Sequence, residues 1–310
     1  VLSGNDKEQT PNADMANRYT TCTQIEHVKL RPNLYLGSIV PTERDAFLWE
    51  NNQMVQKHNV PFVEGLVKMF DEAIDNAIDN TMISENPTTI IKVVLNEKEF
   101  KIMNNGRGIP CELMKDSTKL VPEVIFGECL SGSNFNEERT SIGANGLGIK
   151  LANIMSDWFR VACHDAGANK TFTCLWTNGM SKIDSKRVLS VTKNKFTTEV
   201  SFKPTLSRFQ NNPGVVLKSI TDMTPWVHTR LVQLMATHPN PDLKVYFNGL
   251  LIKCKGFKSF MKAFPSSHTF YDKPAVNFEY GISISSTGQF EHQSFVNCQM
   301  TPSANSTHTK

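Results

Sequence analysis

From Pro61 onward the chain alternates between helical and strand spacing of its apolar positions. Residues 61–80 carry a helical pattern: at about 100° per residue, Phe70, Ala73, Ile74 and Ala77 point one way, while Glu72, Asn76 and Asn80 fall within about 80° of arc on the other side. One face of this predicted helix packs, and the other presents a carboxylate and two carboxamides. Residues 88–95 and 99–104 alternate apolar and polar as half-buried strands do, and the second breaks at Gly106, Gly108 and Pro110. A helix and lid are expected over 121–145, a helix over 147–157, and strands near 159–164, 170–177, 198–203 and 215–220. Helices and an antiparallel-rich sheet in this order predict an α+β fold, a two-layer α/β sandwich rather than repeated β-α-β units. After the turn cluster Asn211-Asn212-Pro213-Gly214, residues 225–237 read as a helix, 244–254 as a hairpin over Asn248-Gly249, and 256–264 as a helix. The expected organisation is a flexible polar arm over 1–18, a first domain over 19–212 and a second over 213–310.

Three stretches carry candidate chemistry. On the helix, Glu72 is placed to take a proton from water, while the carbonyl of Asn76 at i+4 helps hold a Mg2+ that keeps most of its waters and binds phosphate oxygens. At the strand end, the amide of Asn105 both donates and accepts, which suits the edge of a buried adenine, with Ile109 giving apolar contact. In residues 141–150, Gly143, Gly146 and Gly148 clear the way for close backbone approach, the N–H groups beyond them form a phosphate nest, and Lys150 adds a point charge. Each stretch alone has an ordinary reading: a solvated acidic face with Asp71, Asp75 and Asp79, an Asn-Gly turn, a flexible lid. Three in this order point to a bound nucleotide.

Composition narrows the class without choosing a function. At 310 residues, 39% hydrophobic and 20% charged, the chain is ordinary soluble material for about two domains. It has no apolar run of the roughly 18 residues that span a bilayer and no signal-peptide pattern, so no membrane and an intracellular setting are expected. Seven cysteines without a C-x-x-C pair argue for reduced thiols rather than a disulfide framework or zinc site. The net charge of +3 is too small to announce a nucleic-acid binder. Lys244, Lys253, Lys255, Lys258 and Lys262 form a local basic run that serves equally as a solvated face or a DNA-facing surface.

The order of the three stretches resembles the ATP-binding fold shared by gyrase-type topoisomerases, the heat-shock chaperone clade, histidine kinases and mismatch-repair clamp proteins. Gln24 to Ser38 (Q-I-E-H-V-K-L-R-P-N-L-Y-L-G-S) and Val121 to Phe135 (V-P-E-V-I-F-G-E-C-L-S-G-S-N-F) are similar to segments of type IIA topoisomerases, in detail to the eukaryotic and phage enzymes. Tyr246 to Gly249 and Ser294 to Asn297 extend the likeness into a second, transducer domain.

The resemblance implies roles residue by residue. Glu72 matches the general base and Asn76 the Mg2+ ligand. Asn105 falls where the adenine is read. Asn80, Ile109 and Thr198 join the ATP-binding set. Ser133 and Asn134 match a polar pair near sugar and phosphates. Gly143, Ala144, Asn145, Gly146, Leu147, Gly148, Ile149 and Lys150 match the phosphate loop, and Tyr19 matches a strap residue that reaches the partner's ATP site. The implied cofactors are ATP and Mg2+, and the implied partners are a second copy, double-stranded DNA and a breakage-reunion domain or subunit.

Two positions depart from the pattern, Ile142 and Thr197, each where the family usually carries glycine. The family's Gln-Thr-Lys loop is absent from these 310 residues, so the transducer domain is expected to be incomplete. A nucleotide-gated dimerisation module with little turnover is the alternative.

Overall fold

The computed structural model describes residues 21–129, 146–190, 194–210, 212–285, 288, 290 and 292–301. Two short helices, α1 (Gln24–Leu30) and α2 (Asn33–Leu36), lead into a hairpin of β1 (Thr42–Glu50) and β2 (Gln53–Phe62). Thr23 and Glu26 close a capping box on α1. Helix α3 (Glu64–Asp79) follows, then β3 (Ile90–Leu95), β4 (Phe100–Asn104), α4 (Val121–Gly127), α5 (Gly148–Ile154), β5 (Ser156–Asp165), β6 (Lys170–Thr177), β7 (Lys182–Ser190) and β8 (Thr198–Pro204). The chain continues through α6 (Thr224–Thr237), β9 (Lys244–Phe247), β10 (Leu250–Leu251) and α7 (Phe257–Met261). The last described elements are two ribbons, β11 (Thr269–Ala275) with β12 (Phe278–Ser283), and β13 (Ser294–Val296) with β14 (Gln299–Thr301).

One eight-stranded sheet, in the order β10-β9-β3-β4-β8-β5-β6-β7, forms the floor, with α3 and α5 packed over it. Its pairs are antiparallel except β3 with β9. Strand alternation sets which side chains meet the helices: Ile91, Val93 and Leu95 of β3, and Phe100, Ile102 and Asn104 of β4, are the buried set. An aromatic seam joins the layers. Phe70 of α3 stacks on Phe100 with centroids 4.7 Å apart, Phe100 meets Phe202 at 5.2 Å, and Phe202 stacks on Phe159 at 5.8 Å. All four rings are at most 1% exposed, so this seam fixes the height of α3 above the sheet.

The sheet runs through the expected boundary at 213. Strand β9 lies beside β3 with Ile91 opposite Val245, and Asn248 Oδ1 accepts from the Leu95 N–H at 2.9 Å. Helix α6 is sewn to the first hairpin, where the Trp49 N–H donates to Thr229 Oγ1 at 2.8 Å and Trp226 Nε1 donates to the Pro61 carbonyl at 2.8 Å. Residues to Leu251 therefore belong to the first unit, and Asn212 to Gly214 form a turn inside it. The strand expected near 215–220 is instead irregular chain entering a 3-10 turn capped by Ser219, with Leu217 and Ile220 buried. The β1–β2 hairpin and β7 were not expected from the pattern. Among the described residues no helix is long and apolar enough to cross a membrane.

Candidate active site

Helix α3 owes its seat to its apolar face: Leu66, Met69, Phe70, Ala73, Ile74, Ala77 and Ile78 are all at most 3% exposed. That burial turns Glu72 toward the N-terminal turn of α5. A Cβ added at Gly148 would stand 1.8 Å from Glu72 Oε2, so only glycine permits the carboxylate to lie where it does. The other oxygen, Oε1, pairs with Lys68 Nζ at 2.7 Å. Partial burial pulls the Lys68 amine down, but the Glu72 carboxylate more than offsets it and holds the amine above its ordinary value. The base candidate is thus held from both sides.

Asn76 lies one turn further on, exposed, with its amide unbonded to any described residue. No cluster of three or more His, Cys, Asp or Glu side chains suited to a metal occurs among the described residues. A single neutral oxygen beside a carboxylate fits Mg2+, which takes most of its ligands from water and phosphate, and does not fit an ion that needs an all-protein cage.

Two of the sequence-predicted residues have other work. Asn80 Nδ2 donates to the Arg107 carbonyl at 3.0 Å and so tethers the Asn-Gly loop. Asn105 commits its whole amide to the start of β3: Oδ1 accepts from the N–H groups of Thr89 and Ile90 at 2.9 and 2.8 Å, and Nδ2 donates to Thr89 Oγ1 at 2.9 Å. This corrects the expectation that Asn105 is available to a base.

The residue before it faces the helix layer instead. Asn104 follows Phe100 and Ile102 on the helix-facing side of β4 and is 5% exposed. Its Nδ2 donates to Thr88 Oγ1 at 3.1 Å and to the Asn105 carbonyl at 3.0 Å, while its Oδ1 meets no donor among the described residues. Thr198 sits directly across the ladder on β8, hence on the same face, and Thr197 binds the Asn104 carbonyl through its N–H at 3.0 Å. The loop that follows needs its glycines: Gly106 adopts φ 97, and a Cβ on Gly108 would lie 2.2 Å from the His164 carbonyl oxygen. Ile109 packs against the core.

Gly146, Leu147, Gly148, Ile149 and Lys150 form the turn into α5. Gly146 has φ 60, a left-handed conformation that suits glycine. Lys150 folds its amine back onto the Gly146 carbonyl at 2.7 Å, and burial draws its pKa down to about 8. Tyr19, Ser133, Asn134, Gly143, Ala144 and Asn145 lie outside the described residues. Asn104 and Lys68 are the site residues that sequence reasoning missed. Counting by two from Phe100 and Ile102 would have found the first, and the i−4 spacing to Glu72 the second.

Residues 63–178 match the family described as histidine kinase-, DNA gyrase B-, and HSP90-like ATPase, a span that runs from α3 through β6. In class, then, the chain carries the fold of that ATPase family. DNA topoisomerase 2 of Plasmodium falciparum is 36% identical over 260 residues, which is 81% of this chain and 18% of that protein. The ATPase region of Saccharomyces cerevisiae topoisomerase II superposes with a TM-score of 0.82 at 30% identity, covering 92% of this chain and 75% of that one. The ATPase and transducer domains of Balamuthia mandrillaris DNA topoisomerase II give 0.80 at 30% identity, covering 92% and 72%. The chain belongs to the DNA topoisomerase II family and corresponds to its ATPase region. It spans about a fifth of the length of the curated relatives it matches.

Proposed function

We propose that this chain binds and hydrolyses ATP as the nucleotide-operated gate of a type II DNA topoisomerase. The observation that carries the reading is the contact between the Glu72 carboxylate and Gly148, which brings a base and a phosphate-cradling backbone to one point. Glu72, aimed by Lys68, takes the proton of a water that attacks the terminal phosphate in line. Backbone N–H groups of the turn at Gly146 to Ile149 bind phosphate oxygens. Asn104 reads the adenine edge, with its Oδ1, which meets no donor among the described residues, accepting from the amino group and Thr198 beside it. Asn76 would hold Mg2+, which supplies charge neutralisation at the phosphates when bound.

In the whole protein, ATP favours a closed pair of such gates around a duplex, because it contacts the closed arrangement better than the open one. The partners of this reading are a second copy, double-stranded DNA and the breakage-reunion part of the enzyme. The test is Glu72→Gln in the full-length protein, with steady-state turnover and ATP affinity measured together. Turnover should fall by about 10²-fold or more with affinity retained. Turnover above about a tenth of the parent would overturn the assignment, since general-base catalysis is worth about 10²- to 10⁴-fold.

A further inference from the structure

The charged edge of α3 that faces away from the glycine turn is tied to the far end of the described chain. Asp71 and Asp75 lie one helical turn apart, and Asp75 is 4% exposed. Both meet Arg230 of α6: Nη2 stands 3.0 Å from Asp75 Oδ1, and Nε stands 3.5 Å from Asp71 Oδ1. The same guanidinium donates through Nη1 to the Cys298 carbonyl at 2.8 Å, and Gln299 Nε2 donates to Asp75 Oδ2 at 2.5 Å. Cys298 and Gln299 belong to the β13–β14 hairpin, so one arginine and one glutamine join that hairpin to the helix that bears the base.

The hairpin turn is itself unusual. Asn297 and Cys298 have φ 50 and 64, left-handed at both positions, as a two-residue turn of type I′ requires. Glycine normally takes the second position, because a Cβ there is strained. Cys298 holds it with its side chain 4% exposed and its carbonyl aimed at Arg230. Strain kept in one conformation by surrounding contacts is the kind found at sites that do a job.

Around the helix, at about 100° per residue, Asp71, Asp75, Lys68 and Glu72 occupy an arc of about 100° in that order. With Arg230 outside them the charges alternate: cation, two carboxylates, cation, carboxylate. Lys68 is attracted by all three carboxylates, yet its ion pair among the described residues is with Glu72. That choice holds while Arg230 and Gln299 satisfy the aspartates. Withdraw them, and at a pH above about 7, where Asp75 is ionised, two poorly hydrated carboxylates compete for the amine that aims Glu72.

We propose that Arg230 and Gln299 are positioning residues for hydrolysis, which keep Lys68 on Glu72 and make turnover depend on the β13–β14 hairpin being docked against α3. The proposal rests on Glu72 acting as the base, and the test separates the two. In the full-length protein assayed at pH 8, Gln299→Glu sets a carboxylate against the ionised Asp75 on a hairpin outside the eight-stranded sheet. Expected results are at least tenfold faster maleimide labelling of Cys298, followed by peptide mass spectrometry, and about a tenfold fall in kcat with KM for ATP within about twofold, a part of the roughly 10²-fold that full misplacement of a reacting group by about 1 Å costs, because Lys68 is then shared rather than lost. Adding Asp75→Asn rebuilds the bond with donor and acceptor exchanged, and should restore both protection and kcat. A kcat within twofold of the parent while Cys298 labels freely overturns the proposal. So does a Cys298 that stays protected, whatever kcat does, because the contact then does not hold the hairpin. Glu72→Gln run alongside reports on the parent reading: if that variant still turns over, the base assignment fails and not the clamp alone.

Discussion

Gly148→Ala offers a sharp test because it opposes fold and chemistry. The added Cβ would sit 1.8 Å from Glu72 Oε2 and 2.7 Å from its Cδ. An ordinary carbon–oxygen contact is about 3.3 Å, so the carboxylate must retreat by about 1.5 Å. Glu72 is the end of a flexible side chain, 19% exposed, and can move without disturbing the core. Gly148 opens α5 without a left-handed φ, where alanine gains about 0.5 to 1 kcal/mol over glycine. The melting temperature should therefore hold or rise. Turnover should fall by about 10²-fold, the usual effect of displacing a reacting group by about 1 Å. The assays are thermal melting, calorimetric ATP affinity and coupled steady-state turnover on the same preparation, with affinity expected within about threefold. Combining Gly148→Ala with Glu72→Gln should add almost nothing to the loss from Glu72→Gln alone, because both disable one group. A kcat within twofold of the parent at unchanged stability would refute the claim that this contact aims the base.

Asn104→Ala should weaken ATP binding by about 1 to 3 kcal/mol in calorimetry, by leaving a buried base edge unpaired, whereas Asn105→Ala should lower the melting temperature and change ATP affinity little. Equal losses of affinity in both variants would defeat the separation. His238, 8% exposed, accepts the Asn240 N–H at Nδ1 at 3.1 Å, which leaves Nε2 to donate to Thr81 Oγ1 at 2.7 Å, and burial holds its pKa below the ordinary value. The fold keeps this ring neutral while the unfolded chain takes up a proton below about pH 6.5, so its contribution is present above that pH and lost as pH falls. Urea melts at pH 7.5 and 5.5 should show a smaller acid loss in His238→Gln than in the parent; an equal loss would remove His238 from the account. On the other edge of α3, burial outweighs Arg230 and pushes the Asp75 carboxyl up to about 7. The native state then holds a proton that the unfolded chain releases above about pH 4, so stability from this group declines as pH rises toward 7, and Asp75→Asn should flatten that limb of the pH–stability curve.

Much of this arrangement could be read in advance, for a physical reason. The α3 face was legible because seven apolar side chains at helical spacing leave one orientation open to Glu72 and Asn76. The glycine turn was legible because backbone approach demands glycine whatever the wider fold. Asn105 was misread because Asn-Gly draws attention to the turn, while strand parity, which decides the face, points to Asn104. The β1–β2 hairpin escaped because β1 opens with four exposed polar or small residues and its turn, Asn51-Asn52 at φ 51 and 63, lacks the usual glycine. The boundary at 213 failed for a different cause: no local pattern announces that β9 lies beside β3.

That parallel neighbour has a consequence for how the protein comes into being. On the ribosome, β3 and β4 emerge as a hairpin with one flank of β3 unpaired, and no local turn can supply the missing strand. The nascent chain must carry this bare flank until Lys244 to Phe247 leave the exit tunnel, with α6 already folded against the first hairpin to steer them home. Pairings this far apart in sequence form late and slowly, and an open flank of unpaired backbone N–H and C=O groups on β3 invites association with other chains. Fragments released before Lys244 should therefore need a chaperone and precipitate without one, and the helix bearing Glu72 gains its finished floor only when translation has passed Leu251.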